Sequence, residues 1–262
     1  MDKAIFIMDM LFPPHCLFCG ELKPFREECK ECEELERKYR ITGEEKLNFR
    51  MSARTVDRLS KVISSYIYSD DTADMVARYK FRRQYSMGRE MAKKMGADII
   101  EILGEDCCDI VMPVPAFNKN ENQHSALIAK RIAKILSRPC LAETLVKTSQ
   151  TQPQHKLSLT ERAGNLEGVF SVSDAVEVKD KRILLCDDVI TSGNTLNECA
   201  KALLDAGASE VLAATFSATD QPIPAAGKKT VKRKKQPETV KATERKEKDT
   251  PKKKAGKPKT GE

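Results

Sequence analysis

Between about residue 61 and residue 220, apolar positions follow two patterns that alternate along the chain. Short apolar runs have the length of strands, and segments with an apolar residue every three or four positions are typical of helices. The predicted strands cover residues 64–69, 109–114, 182–187 and 210–216. One predicted helix carries Met87, Met91, Met95, Ile99 and Ile102, and two others cover residues 123–136 and 195–206. Methionine packs adaptably, so the methionine stripe predicts core filling.

Two details refine the helix predictions. The segment 123–136 carries its large apolar side chains on one face, which we expect to pack on the core. These side chains are Leu127, Ile128, Ile132 and Ile135. Gly207 follows the segment 195–206 at the position where a glycine commonly ends a helix, so we expect the third helix to end there.

Strands separated by helices predict βαβ units. Continuous apolar strands such as ILLC, residues 183–186, are expected where a parallel sheet is covered on both faces. The predicted fold is therefore α/β, with a mostly parallel sheet and helices on both sides.

Composition divides the chain into four regions. Residues 1–35 are rich in cysteine and too short to build a core without a crosslink such as a bound metal ion. Residues 36–60 are charged and predict a linker or a surface helix, and residues 61–220 hold the α/β pattern. Residues 221–262 are rich in Lys, Thr, Pro and Glu, which predicts a disordered tail because too little apolar surface is available for burial.

The net charge of +7 belongs to the tail. Residues 228–262 hold 15 Lys/Arg against 5 Asp/Glu, which leaves 31 basic and 34 acidic side chains in the rest of the chain. A lysine-rich tail attracts nucleic acid by counterion release, although this one has no aromatic residue for stacking on bases. A solubilising extension explains the composition equally well.

Apolar runs are too short to cross a bilayer, which takes roughly 18 residues, so we expect no membrane span. The opening apolar run is interrupted by Asp9 and is a poor signal peptide, so we expect a cytoplasmic protein.

Four of the nine cysteines form two C-x2-C pairs, Cys16/Cys19 and Cys29/Cys32. Four thiolates at this spacing predict a closed tetrahedral zinc site, with free buried thiols as the alternative. We expect the remaining cysteines to be buried as small apolar residues. They are Cys107, Cys108, Cys140, Cys186 and Cys199.

The strand predicted over 182–187 delivers two adjacent carboxylates, Asp187 and Asp188, at the edge where open α/β sheets bind ligands. Small and hydroxyl residues follow at the start of the next helix, where backbone N–H groups and the helix dipole favour an anion. These residues are Thr191, Ser192, Gly193, Asn194 and Thr195. Two carboxylates next to a phosphate-binding turn favour a sugar phosphate as the ligand. The sugar hydroxyls can donate hydrogen bonds to the carboxylates, and the sugar ring keeps the carboxylates apart from the phosphate. The alternative is an ordinary strand, turn and capped helix.

Residues 183–195, ILLCDDVITSGNT, resemble the phosphoribosyl pyrophosphate (PRPP) signature of type I phosphoribosyltransferases, with Cys186 in place of the usual aliphatic residue. The resemblance extends to the ComF family, competence-associated proteins that join an N-terminal zinc module to such a domain. It is carried by the two cysteine pairs, VMPVP at 111–115, Asn122-Gln123 and residues 152–170, and it covers roughly residues 10–217.

The resemblance implies a type I phosphoribosyltransferase-like fold and a chemistry in which pyrophosphate leaves C1 of ribose with Mg²⁺ on its oxygens. The resemblance implies that Asp187 and Asp188 are the catalytic residues and that Val189 belongs to the substrate-binding loop. Residues 148–165 take the place of a mobile cover loop. Cations for the leaving group would come from Lys119, Lys156 and Arg162, with Lys80, Arg82 and Arg83 as further candidates. The segment 119–123 departs from the family pattern, because Lys119 stands where an arginine is usual.

The leading hypothesis is a ComF-like protein that binds PRPP or a related ribose 5-phosphate and acts in DNA uptake during natural transformation. Its expected partners include single-stranded DNA and a DNA-uptake helicase, and neither turnover nor an acceptor base follows from the residues. One alternative is a non-catalytic PRPP sensor or a scaffold for DNA or a helicase. Another is a nucleobase phosphoribosyltransferase of ordinary metabolism.

Overall fold

The computed structural model describes residues 15–22, 29–47, 56–81, 85–116, 119–148 and 168–220. The tail predicted over 221–262 lies outside the described residues. Within the described part of the chain, no helix is long and apolar enough to cross a membrane.

Strands and helices alternate through the described residues. The strands are β1 (Lys61–Tyr68), β2 (Ile110–Pro113), β3 (Leu145–Lys147), β4 (Phe170–Val172), β5 (Arg182–Ile190) and β6 (Glu210–Thr219). The α-helices are α1 (Glu33–Tyr39), α2 (Asp70–Phe81), α3 (Tyr85–Leu103), α4 (Lys119–Ile135), α5 (Ala175–Val178) and α6 (Asn194–Asp205). Two short 3-10 helices cover Lys30–Cys32 and Gly43–Lys46.

Four of these strands form one parallel sheet in the order β1-β6-β5-β2. The remaining two, β3 and β4, form a separate antiparallel hairpin. The prediction of a mostly parallel α/β sheet is confirmed. The prediction for β5 is too short, because the strand continues past both acids to Ile190, which pairs with Ala218 of the ten-residue β6.

Alternate residues of β5 fill two apolar cores, one on each face of the sheet. Leu184 and Cys186 belong to the core that contains the methionine stripe of α3. Ile183 and Leu185 belong to the opposite core, with the apolar side chains of α6. Helices therefore cover both faces, as the continuous apolar strand predicted.

The methionine stripe is confirmed over Met87, Met91, Met95 and Ile99, which are all at most 1% exposed. Ile102, the last residue of the predicted stripe, is only half-buried against the same core. The end of α6 is confirmed as well. Gly207 has a φ of 99°, and its N–H donates to Leu204 O at 2.9 Å while Ala208 N–H donates to Leu203 O at 3.0 Å. These two bonds form a Schellman cap.

The prediction for the buried face of α4 is partly wrong. Ile128 and Ile132 are buried, but Leu127 is only half-buried and Ile135 is 40% exposed. The centre of the buried face holds small residues instead, Ala129 and Ala133. The prediction considered only large apolar residues and so placed the buried face wrongly. Small side chains lie where a helix approaches its neighbours most closely.

A buried ion network joins the segment after α1 to the main sheet. Asp98 of α3 is 0% exposed and receives both Nη atoms of Arg40, at 2.6 and 2.8 Å. Lys46 Nζ lies 2.8 Å from the same carboxylate, and Ser65 Oγ donates to it at 2.5 Å. A buried carboxylate is unfavourable without partners. The folded position of this segment and the stability of the core around Asp98 therefore depend on each other.

Removing the charge of Asp98 tests this dependence. Asp98→Asn leaves Arg40 and Lys46 without their shared anion, so we expect the free energy of unfolding to fall by about 3 kcal/mol. Denaturant unfolding measures the change. The control is Asp106→Asn, whose 80%-exposed carboxylate pairs with Arg182 and should cost less than about 1 kcal/mol. Equal effects of the two substitutions would contradict the prediction.

Candidate functional site

The carboxyl end of β5 gathers the acidic residues predicted for the site. Asp187 pairs with Thr215 of β6, while the preceding Cys186 pairs with Pro113, the last residue of β2. Val114 N–H donates to Cys186 O at 3.0 Å, so the loop after β2 begins beside the carboxylates. This edge is where parallel sheets bind ligands.

Asp188 is held by a cation from a distant helix. Its side chain is 6% exposed, and its Oδ2 lies 2.7 Å from Nζ of Lys80, which is 35% exposed. Burial lowers the pKa of Lys80, but the charges of Asp188 and Asp187 outweigh it and raise that pKa on balance. Lys80 is therefore a fixed positive charge inside the site. From the sequence it was only one of several candidate cations, since nothing local links α2 to β5.

Asp187 has a different environment. Its Oδ1 accepts hydrogen bonds from Asp188 N–H at 2.9 Å and from Ser125 Oγ at 3.3 Å. Burial and the adjacent charge of Asp188 raise the pKa of Asp187 to about 7, although Lys80 opposes the shift. Near neutral pH this carboxyl group therefore exchanges between acid and carboxylate. Ser125 was not predicted from the sequence. Its position on the predicted helix 123–136 is the one sequence feature that could have indicated a contact with β5.

A tight turn connects β5 to α6. Gly193 is buried in the left-handed region with a φ of 83°, a conformation that strongly favours glycine. Asn197 N–H donates to Gly193 O at 2.9 Å and closes the first helical turn. The N–H groups that open a helix lack intrahelical acceptors, so this turn suits an anion.

The other predicted loop residues lie at or beside this turn. Thr191 is exposed, Ser192 and Thr195 are half-buried, and Asn194 is buried at the start of α6. Asn194 Oδ1 has no hydrogen-bond partner among the described residues. Val189 belongs to β5 itself and pairs with Ser217, so it lies in the strand before the turn.

The predicted cover loop is closed at its base by the hairpin of β3 and β4. Lys147 pairs with Phe170, and Thr148 N–H donates to Val169 O at 2.8 Å. Thr148, at the start of the predicted cover loop, thus lies beside Val169. Lys156 and Arg162, and the candidates Arg82 and Arg83, lie outside the described residues. Lys119 begins α4, but its side chain also lies outside the description.

The two cysteine pairs converge as predicted. The Sγ atoms of Cys16, Cys19, Cys29 and Cys32 all lie within 4.8 Å of one another. Cys19 Sγ and Cys29 Sγ are 3.8 Å apart, which matches the edge of about 3.8 Å of a tetrahedron with Zn–S bonds of about 2.3 Å. Burial raises the pKa of the Cys16 and Cys32 thiols, and neighbouring thiols raise it further. A dication would reverse that shift, so the donor set fits zinc.

Four of the five remaining cysteines are buried as predicted, namely Cys107, Cys108, Cys186 and Cys199. The prediction is wrong for Cys140, which is half-buried. The backbone of Cys140 forms an isolated β-bridge with Val111 of the edge strand β2. One side of Cys140 therefore stays open to solvent.

Comparison with known proteins agrees with this architecture. The family model described as "Phosphoribosyl transferase domain" matches residues 123–251. Competence protein F of Haemophilus influenzae is 25% identical over 208 residues, which cover 76% of this chain and 82% of the relative. Competence protein ComFC of Bacillus subtilis is 24% identical, over 73% of this chain and 72% of the relative.

The chain is similar to competence proteins of the ComF family. A further relative is the DNA utilization protein YhgH of Salmonella typhimurium, which is 26% identical over 58% of this chain and 69% of its own length. The resemblance inferred from the cysteine pairs and the Asp187–Asp188 loop is thereby confirmed.

The raised pKa of Asp187 predicts a pH-dependent stability. A carboxyl group whose pKa is higher in the folded state stabilises the fold at low pH, and this contribution is lost as pH rises toward 7. The Asp187→Asn variant has no carboxyl group at this position, so it does not lose this stability as the pH rises. We therefore expect the stability of the variant to gain about 1 kcal/mol or more relative to wild type between pH 4 and pH 8, a value reduced because the Asp187 side chain is not fully buried.

Urea unfolding at a series of pH values measures this gain. Asp205→Asn, which removes an exposed carboxylate at the end of α6, controls for the loss of one negative charge. A stability difference between Asp187→Asn and wild type that is the same at pH 4 and pH 8 would contradict the prediction.

Proposed function

We propose that this protein, like the ComF proteins to which it is similar, carries a phosphoribosyltransferase-type site, and that it binds PRPP or a related ribose 5-phosphate at the carboxyl end of β5. The observation that carries the proposal is the placement of two adjacent carboxylates near the carboxyl end of β5, which leads into a left-handed glycine turn that opens α6. Carboxylates accept hydrogen bonds from ribose hydroxyls, and a helix N-terminus suits a phosphate at the other end of the same sugar.

Each residue of the site then has a role. Asp187 and Asp188 accept from the ribose hydroxyls, and the phosphate lies among N–H and hydroxyl groups of the turn that starts at Thr191. The turn comprises Thr191, Ser192, Gly193, Asn194 and Thr195, with Val189 in the strand before it. Because Lys80 neutralises Asp188, the two acids can lie side by side next to a phosphate without the full repulsion of three anions.

The pyrophosphate end requires more positive charge. We assign it to the loop after β2 and to the cover segment 148–165, with Lys119, Lys156 and Arg162 as the cations. Mg²⁺ bound to the pyrophosphate oxygens would supply the remaining charge neutralisation. Support comes from the position of Val114 beside Cys186 and from the hairpin that closes the base of the cover segment.

We further propose that the protein acts in DNA uptake or DNA handling during natural transformation. Support comes from the names of its relatives, two of which are competence proteins and one a DNA utilization protein. Single-stranded DNA and a DNA-uptake helicase are the partners that this role requires. A structural Zn²⁺ in the cysteine cluster completes the proposal, on the strength of four converging thiols.

Calorimetric titration with PRPP and Mg²⁺ tests the site. We expect wild type to bind, and the double variant Asp187→Asn/Asp188→Asn to bind at least about a hundredfold more weakly, because two charged acceptors worth about 1.5 kcal/mol or more each are lost. Asp205→Asn should bind like wild type. If wild type does not bind PRPP, the fold serves as an interaction scaffold and the ligand proposal is wrong.

Transformation frequency tests the cellular role in a naturally transformable host. A host whose own family member is deleted should recover DNA uptake with the wild-type gene or with Asp205→Asn. The double variant should fail to restore it, since the ligand site is then required for the process. Full complementation by the double variant, at equal protein level, would separate the PRPP site from DNA uptake.

A further inference from the structure

Helix α2 lies between the cysteine cluster and the β5 site and contacts both of them. Its last turn carries Arg78 and Lys80, which are two positions apart and so point about 200° apart around the helix. Arg78 reaches the cysteine module, whereas Lys80 reaches Asp188. One short turn of helix therefore connects two sites that are distant in the sequence.

Arg78 is a buried guanidinium that depends on the cysteine module for its hydrogen bonds. The residue is only 4% exposed, and its Nη2 donates to Leu17 O at 3.2 Å and to Phe18 O. Both carbonyls lie in the two-residue loop between Cys16 and Cys19. The contact is close, because a Cβ placed on Gly20 would overlap the Arg78 guanidinium.

The same turn is held on its other sides. Arg78 Nε lies 3.1 Å from Asp74 Oδ2 within α2, so the guanidinium has a fixed direction. Tyr79 is 0% exposed and its hydroxyl donates to His124 O at 2.7 Å, on α4. Lys80 Nζ then lies 2.7 Å from Asp188 Oδ2. Because Arg78 and Lys80 share one helical turn, a displacement of the backbone at Arg78 also moves Lys80 unless the turn deforms.

The loop between Cys16 and Cys19 is shaped by the cysteine cluster. Gly20 N–H donates to Cys16 O at 3.0 Å, and four thiols converge beneath this turn. A metal ion that crosslinks them would hold the Leu17 and Phe18 carbonyls in position. Without it, a buried guanidinium would face acceptors that are no longer fixed, which is unfavourable for a buried charge.

We propose that Arg78 is a positioning residue that couples metal binding in the cysteine module to the Asp187–Asp188 site through the last turn of α2. Metal loading fixes the two carbonyls, the carbonyls fix Arg78, and the helix turn then places Lys80 against Asp188. The effect on ligand affinity rests on the proposed function, but the coupling itself is a property of α2 and can be measured without ligand.

Amide hydrogen exchange measures the coupling in the full chain. Wild type, with its zinc content determined by mass spectrometry, is compared before and after chelation in reducing buffer. We expect chelation to speed exchange in peptides covering 75–81 and 186–190 by about tenfold or more, and to leave the α6 peptide 199–205 unchanged. Arg78→Ala should show fast exchange at 75–81 while it still holds zinc.

Three variants control the experiment. Arg78→Lys keeps the charge but loses the fork of donors, so it should lie between wild type and Arg78→Ala and covers the case in which the alanine variant misfolds. Cys29→Ser should lose zinc and reproduce the chelated state. Arg37→Ala removes an arginine with a 73%-exposed side chain and should match wild type in zinc content and in exchange.

PRPP affinity supplies the second readout. Chelation should weaken binding by wild type roughly five- to a hundredfold, and it should add little to the weakening already present in Arg78→Ala, because both remove the same link. Unchanged exchange at 75–81 after chelation, or purified protein without zinc, overturns the inference. Coupled exchange in a wild type that fails to bind PRPP would uphold the link and refute the proposed ligand.

Discussion

The structure depends on the parallel pairing of β5 between β6 and β2. Because β5 has a partner on each side and apolar cores on both faces, every residue from Ile183 to Cys186 is fully buried. After Arg182, which opens the strand, the next polar side chains can therefore appear only toward its carboxyl end. Asp187 and Asp188 lie there, at the same edge of the sheet as the loop that follows β2.

Buried carboxylates impose a second constraint, and the chain meets it in the same way in two places. Asp188 at the carboxyl end of the sheet is matched by Lys80, and Asp98 on α3 is matched by Arg40 and Lys46. In each case the cations come from a segment that is far away in the sequence. The ion pairs thus link segments as well as neutralise charge, and Asp187, which lacks a direct cation of its own among the described residues, retains a raised pKa.

The cysteine module shares its packing with the α/β sheet. Leu17, Phe18 and Cys32 belong to the apolar core on the α3 face, and the ring of Phe18 meets that of Tyr66 edge-on with centroids 6.1 Å apart. A region this short cannot form a core of its own, so it uses the surface of β1 and α2 in addition to its thiols. Arg78 is the polar part of that contact. The cysteine module thus contacts residues well outside its own loop.

Local residue order determined most of the secondary structure. The strands, the methionine stripe of α3, the Gly207 cap and the glycine turn after β5 follow from periodicity and from the backbone needs of single residues. These features depend on neighbours within about one helical turn or one strand, which is the range over which a sequence pattern carries information.

Tertiary structure decided which distant groups meet. The extension of β5 to Ile190 required the length of β6, and the buried face of α4 required small residues such as Ala129 at its closest contacts. Lys80 against Asp188, and Arg78 against the cysteine loop, join segments separated by many tens of residues. The amino-acid sequence by itself therefore determined the elements and the chemistry at the end of β5, whereas only the folded chain supplied the cations, because a charge finds its partner through space and not along the chain.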